Sequence, residues 1–455
     1  MAETILVPFE GDGSGVEDLT WGQIGLWQAM QGNGRSRTMA GVTALPPGLT
    51  LAEAADGLRF AMSRHQALRT RLVFDADGNA RQSCSASGEA ALDVVDAGGH
   101  DPSEVAEQVR ERYQERNFDY EHEWPVRMAV IRKDGVLTHS VVVYLHLVID
   151  ADGLAVLIGE LGSRDPVTGE APAVTATPPL EQARLQRMPS ARRQCAASLR
   201  HLEHVFRTMT PTRFGEPRYN GPTDYRQVRF RSPATHLAVR AIAAAQQANT
   251  SAILLACFAV GVARFTGNSP VMAWLMVNNR FRPGFADSVS ALVQISPFLI
   301  DVADTSLADA VGRARGGAMS AYKNAYYDPN LQDEVIARVN AERGAEIDHS
   351  CFYNDRRQQE RDRTGDPVPE PEEILAAVAR GEHFWEDEPG LPRQKMYFHV
   401  DDPEGATDLT MSVDTRYFSR EDMLTILRNV EAAAVQTALT PEAPTAIPTP
   451  VPANA

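Results

Sequence analysis

Residues 137–153 read LTHSVVVYLHLVIDADG. A run of β-branched and apolar residues ends in His146, and two carboxylates, Asp150 and Asp152, follow at once. Upstream, Val126–Arg132 has the same character and is separated from Leu137–Ile149 by Asp134-Gly135. The pattern predicts two paired strands inside a covered sheet, with the histidine at the transition from strand to loop. Histidine is the side chain whose ordinary pKa suits proton transfer near neutrality, and a nearby carboxylate fixes its tautomer or braces its loop. A lone histidine in a strand is nevertheless more often a satisfied core residue, so spacing by itself does not assign catalysis.

Other catalytic patterns are absent from the sequence. There is no G-x-S-x-G elbow, no H-E-x-x-H pair and no Walker-type loop. Gly11-Asp-Gly-Ser-Gly15 lacks the lysine that would make it a phosphate cradle and reads as a flexible lead-in. Asp75-Ala-Asp-Gly-Asn79 reads as a hairpin turn, because the twelfth position of a calcium loop would be Ala86 instead of glutamate.

Outward from the histidine strand, helical spacing is expected over Leu19–Met30, with Trp21, Ile24 and Trp27 on one face, and over Leu51–Ala67, capped by Thr50 and Glu53. Gly162–Leu180 is rich in proline, glycine and threonine, the composition of a linker. Beyond it, helices are expected over Thr235–Gln247 and Ser251–Phe265. Strands are expected over Val271–Val277 and Ser290–Val302, flanking the polar loop NNRFRPGFAD. Arg363–Glu372 reads as an exposed acidic insertion, Leu409–Phe418 as a strand, and the residues after Ser419 as a last helix through Ala438. The expected division is an N-terminal lobe over 1–175, a C-terminal lobe over 176–438 and a disordered proline-rich tail over 439–455.

The 455 residues are 43% hydrophobic and 23% charged, which suits a globular α/β chain. A formal net charge of −16 argues against nucleic acid or an anionic membrane as the main partner. Within that acidic chain, Arg184–Arg231 is basic and includes Arg187, Arg192, Arg193, Arg200, Arg207, Arg213, Arg218, Arg226 and Arg229. The stretch is either a solvated helix face or a docking site for an acidic partner. Cys84, Cys195, Cys257 and Cys351 lack metal-ligand spacing and are expected to be reduced, so no metal site is read from them. The acidic N-terminus lacks signal-peptide character, and no run reaches the ~20 apolar residues of a membrane span, so a cytoplasmic location is expected.

Three segments together resemble the condensation domains of nonribosomal peptide synthetases, members of the chloramphenicol-acetyltransferase-like acyltransferases. LTWGQIGLW (Leu19–Trp27) resembles the first core motif, in which Ser or Thr precedes Ala-Gln and a Leu-Trp pair. SRHQALRTRL (Ser63–Leu72) is similar to the second, Arg-His-Glu-x-Leu-Arg-Thr. Leu145-His146-Leu-Val-Ile-Asp150-Ala151 resembles the active-site motif His-His-x-x-x-Asp-Gly, with Leu145 in place of the first His and Ala151 in place of the Gly. An alignment on Asp152-Gly153 would put Val148 at the histidine position and is rejected. VNNRFRP (Val277–Pro283) and the final DLTMSVDTRYFSRED also look like the family's later elements, so the resemblance runs from about Leu19 to Ala438.

The resemblance implies two chloramphenicol-acetyltransferase-like lobes forming a V-shaped pseudo-dimer around a central tunnel. It implies His146 as the catalytic residue, with Asp150 and Arg280 paired in structural support of the site. It further implies a free-standing condensation enzyme that joins a carrier-bound acyl thioester to an amine or hydroxyl. Such a chain binds no cofactor itself, because phosphopantetheine of a peptidyl or acyl carrier protein holds the acyl group. A silent recruitment platform and a coenzyme-A-dependent acyltransferase are the alternatives.

Overall fold

In the computed structural model, Asp134-Gly135 turns the chain between two antiparallel strands, Val126–Lys133 and Val136–Leu145. The structure describes residues 2–165, 168–357, 367–386 and 394–448. They fall into two units, one made of residues 1–194, 278–294 and 327–329 and the other of the remainder.

The elements of the first unit run as β1 (Ala2–Glu10), β2 (Gly15–Asp18), α1 (Trp21–Asn33), β3 (Thr38–Ala44), α2 (Leu51–Arg64), β4 (Thr70–Phe74), β5 (Ala80–Cys84), β6 (Ser87–Asp96), α3 (Pro102–Glu115), β7 (Val126–Lys133), β8 (Val136–Leu145), α4 (Ala151–Gly162), α5 (Pro179–Gln186) and the start of α6 (Pro189–Thr208). A five-stranded sheet has the order β1-β6-β7-β8-β3, and a three-stranded sheet the order β2-β5-β4. β6 and β7 are parallel, while the other pairs of the larger sheet are antiparallel. Val141 and Val143 of β8, Ala129 and Ile131 of β7, and Leu92 and Val94 of β6 are completely buried; β7 and β8 accordingly read as largely apolar runs, while β6 alternates buried with exposed residues. The expected capping box of Thr50 with Glu53 opens α2, and a second one that was not anticipated, Thr20 with Gln23, opens α1.

Four expectations are corrected in this unit. β8 stops at Leu145, short of Ile149, because the chain turns there: the Leu145 carbonyl accepts from the Val148 amide, the Ile149 carbonyl lies against His146 Nδ1, and the Asp150 carbonyl accepts from the Leu154 amide. α2 stops at Arg64, and Gln66–Arg69 continue as a 3₁₀ turn. The glycine-rich segment is clamped instead of flexible: the fully buried Arg69 guanidinium donates to the carbonyls of Asp12 (2.6 Å), Gly13 (3.2 Å) and Ser85 (2.5 Å). The boundary expected at 175 lies inside the unit, because α5 is held to β2 by ion pairs from Arg184 and Arg187 to Glu17. A proline-rich composition marks an irregular segment, but it does not report the side chains that tie that segment down.

The second unit contains the rest of α6, β9 (Tyr225–Ser232), α7 (Pro233–Gln246), α8 (Thr250–Thr266), β10 (Val271–Val277), β11 (Gln294–Ile300), α9 (Leu307–Lys323), α10 (Gln332–Arg343), β12 (Cys351–Asp355), α11 (Pro371–Val378), β13 (Glu382–Glu386), β14 (Met396–Asp401), β15 (Thr407–Asp414) and α12 (Arg420–Leu439). Its sheet has the order β11-β10-β12-β14-β15-β9-β13. Every residue of α8 from Ala252 to Ala263 is buried, so the helix is a core element. Together with α7, at a 117° bend, it matches a membrane span by length and composition, but no single described helix is long and apolar enough to cross a membrane. All four cysteines are buried and free.

Residues 440–448 of the expected tail are packed: Thr445 is fully buried, Ile447 is 3% exposed, and the Thr445 amide donates to the Thr305 carbonyl. Residues 449–455, and 363–366 of the expected insertion, lie outside the described residues. The end of that insertion opens α11 through a capping box between Glu370 and Glu373.

Candidate active site

His146 is the first residue after β8 and is only partly exposed. Its amide donates to the Arg37 carbonyl at 2.9 Å, which holds the turn against the chain entering β3. Its Nδ1 lies 2.8 Å from the Ile149 carbonyl oxygen. A carbonyl only accepts, so Nδ1 carries the hydrogen and the neutral ring presents its lone pair at Nε2. Burial pushes the His146 pKa below its ordinary value, and the Arg37 guanidinium adds to that, while the Ile149 carbonyl and Asp150 oppose it without prevailing. At neutral pH the imidazole is therefore an uncharged base with a fixed tautomer.

Asp150 is fully buried and caps α4. Its Oδ1 accepts from the Gly153 amide at 2.8 Å and from Arg280 Nη2, and its Oδ2 accepts from the Leu292 amide at 2.9 Å. Arg280 in turn donates through Nη1 to the carbonyls of Ser288 at 2.7 Å and Ala286 at 3.2 Å. The carboxylate is thus engaged as a brace that ties the 278–294 segment to the loop carrying His146. It is not disposed to take part in proton transfer.

Asp152 is 39% exposed, accepts from Asn278 Nδ2 at 3.0 Å and stands 3.7 Å from Arg280 Nε. The buried position opposite the arginine therefore belongs to Asp150, as the His146-Asp150 spacing requires. Ala151 opens α4, exposed and without a left-handed backbone, so the alanine fits where a glycine was expected. Leu145 is 4% exposed and lines a small cavity with Leu72, Phe118 and Leu147.

The structure brings together all three residues singled out in the sequence. It adds several that the sequence did not signal: Arg37, the Ile149 carbonyl, the Leu292 amide and Gly153. A Cβ on Gly153 would lie 3.1 Å from Arg280 Nη2 and 3.2 Å from Asp150 Oδ1. A Cβ on Gly22, which stands where the first core motif carries alanine, would lie 2.2 Å from the Ala291 carbonyl oxygen. Backbone partners and close approaches of this kind leave no periodic trace. Among the described residues, no group of histidine, cysteine and carboxylate side chains is arranged to hold a metal ion.

No family model matches the chain. Over 263 residues, 54% of its length, it is 28% identical to cyclosporin synthetase of Tolypocladium inflatum, and it spans 2% of that much longer protein. The SgcC5 protein of Streptomyces globisporus, solved with (R)-(−)-1-(2-naphthyl)-1,2-ethanediol and sucrose, superposes with a TM-score of 0.69 at 18% identity, covering 94% of this chain and 100% of its own. A structure described as the molecular basis for condensation domain-mediated chain release from the enacyloxin polyketide synthase gives 0.72 at 18% identity, covering 97% and 86%. The X-domain from teicoplanin biosynthesis gives 0.70 at 15% identity, covering 95% and 97%. With the histidine turn, its bracing aspartate and the three sheets accounted for, this chain carries the fold of the condensation domains of nonribosomal peptide and polyketide synthases.

Proposed function

We propose that this chain is a condensation-type acyltransferase that joins a carrier-bound acyl thioester to an amine or hydroxyl acceptor, in the cytoplasm and in the service of specialised metabolism. The observation that carries the reading is the anchored Nδ1 of His146, which leaves Nε2 as the proton acceptor of a neutral ring. In the proposed step, Nε2 takes the acceptor's proton as its nitrogen or oxygen attacks the thioester carbonyl carbon. The new C–N or C–O bond forms, the tetrahedral intermediate collapses, the C–S bond breaks, and the proton passes to the departing phosphopantetheine thiolate. The imidazolium also stabilises the oxyanion while it exists. No group bound by the chain itself is required, since the carrier protein supplies the activated acyl group.

The test is turnover, followed by mass spectrometry of intact carriers over a panel of acyl carriers and amine or alcohol acceptors, for the wild type and His146→Ala. A loss of about 10²-fold or more in the variant supports the acid/base role. Turnover indifferent to the substitution overturns it. Activity with a coenzyme A thioester, and none with any carrier, would instead identify a coenzyme-A-dependent acyltransferase.

A second reading, a recruitment platform without catalysis, is favoured by one residue, Leu145, whose place in the motif is otherwise held by histidine, and by the likeness to the X-domain. Carrier binding with no turnover on any pair would select it.

A further inference from the structure

We propose that the exposed turn between α5 and α6, with Leu185, Met188, Arg192 and Arg193, is the surface on which an acidic carrier protein docks; the proposal rests on the carrier-dependent reading above. The segment is continuous through its backbone, with the Met188 amide donating to the Leu185 carbonyl at 3.1 Å and the Arg192 amide to the Met188 carbonyl at 3.0 Å. Leu185 is 40% and Met188 53% exposed, and Arg192 and Arg193 stand in solvent one turn further on.

The charges set this turn apart from most of the basic stretch, although Arg200, further along α6, is likewise exposed and forms no ion pair among the described residues. Arg184 and Arg187 are neutralised by Glu17, with Glu181 and Asp18 beside them. Arg207 pairs with Glu342, Arg218 with Asp422, and Arg229 with Glu386. Arg192 and Arg193 are exposed and form no ion pair among the described residues.

Neither arginine serves its own helix. Both lie near the start of α6, whose first turn holds no acidic residue, and there a cation opposes the helix dipole. In a chain with a net charge of −16, an acidic partner is repelled by the average surface and attracted only where cations are uncompensated. Two unpaired guanidinium groups and two exposed apolar side chains within one short segment match a helix that presents carboxylates around an apolar residue.

The platform is also held in place before any partner arrives. Besides the ion pairs to Glu17, Gln186 accepts from the Trp21 amide at 2.9 Å, and Gln182 donates to the Thr177 carbonyl at 2.8 Å. Little ordering is left to be done on binding.

The experiment compares the wild type with Arg192→Glu/Arg193→Glu on two donors carrying the same acyl group: a phosphopantetheinylated carrier protein and a free N-acetylcysteamine thioester. The expected result is a KM for the carrier raised about tenfold and less sensitive to salt, with turnover of the free thioester unchanged. An unchanged carrier KM overturns the docking surface and leaves the acyltransfer reading standing. A wild type that uses the free thioester but no carrier overturns the carrier-dependent reading and this surface with it. If the double reversal also reduced free-thioester turnover, Arg192→Gln/Arg193→Gln would replace it, and the same two outcomes would decide.

Discussion

Asp150 and Arg280, 130 residues apart in sequence, close on each other in the first unit with side chains 0% and 9% exposed. The pair joins the turn that carries His146 to the segment after β10. Arg280→Ala would leave the Asp150 carboxylate buried without its countercharge. Such losses cost about 3–5 kcal/mol, so chemical denaturation should show a lowered midpoint with the slope unchanged. If Arg280→Ala unfolded at the wild-type midpoint, the brace would be dispensable.

The pH profile of turnover follows from the environment of His146. Its pKa is lowered, first by burial and then by the Arg37 charge, so the neutral form, the one that acts as base in the proposed step, persists below the ordinary histidine value of 6.5. Activity should rise with pH along an acid limb whose midpoint lies below that value and should be flat through neutrality. Removing a nearby positive charge makes protonation easier, so Arg37→Gln should move the limb to higher pH. A limb that stayed in place would mean that Arg37 does not act on the base.

Gly153→Ala sets two effects against each other. Alanine in place of glycine within a helix gains at most about 1 kcal/mol. The added Cβ would press on both members of the Asp150–Arg280 pair, at 3.2 and 3.1 Å, and overpacking costs about 1–3 kcal/mol. The clash should win, with reduced stability and turnover. Ala151→Gly, at the exposed start of the same helix, should cost less than about 1 kcal/mol and leave turnover within about twofold. Turnover that improved in Ala151→Gly would show that the alanine impairs the site.

Gly22→Ala restores the alanine of the first core motif and should destabilise this chain. The Cβ would meet the Ala291 carbonyl oxygen at 2.2 Å, so α1 or the 278–294 segment must shift, at a cost of about 1–3 kcal/mol or more. Thermal denaturation of the variant measures it directly. A neutral outcome would show that the segment gives way freely.

Much of the architecture is determined by the sequence alone, because it depends on local chemistry. Asp-Gly turned β7 into β8, Asp75–Asn79 turned β4 into β5, Thr50 with Glu53 and Ser419 with Asp422 capped their helices, and His146 was placed at a strand end by its apolar neighbours. Long-range partners were decided only by the tertiary structure. β1 lay in a segment whose alternation is short and whose partner, β6, is some eighty residues away, so its pairing could not be inferred from its own residues. The clamp of Arg69 on the glycine-rich segment and the packing of Thr445 on Thr305 turned two expected flexible stretches into fixed ones. The tautomer of His146 was settled by one carbonyl three residues away, and the set of the turn by Arg37 and Leu292 across the fold. Backbone groups carry no residue identity, so sequence can name the side chains of such a site but not the carbonyls and amides that aim them.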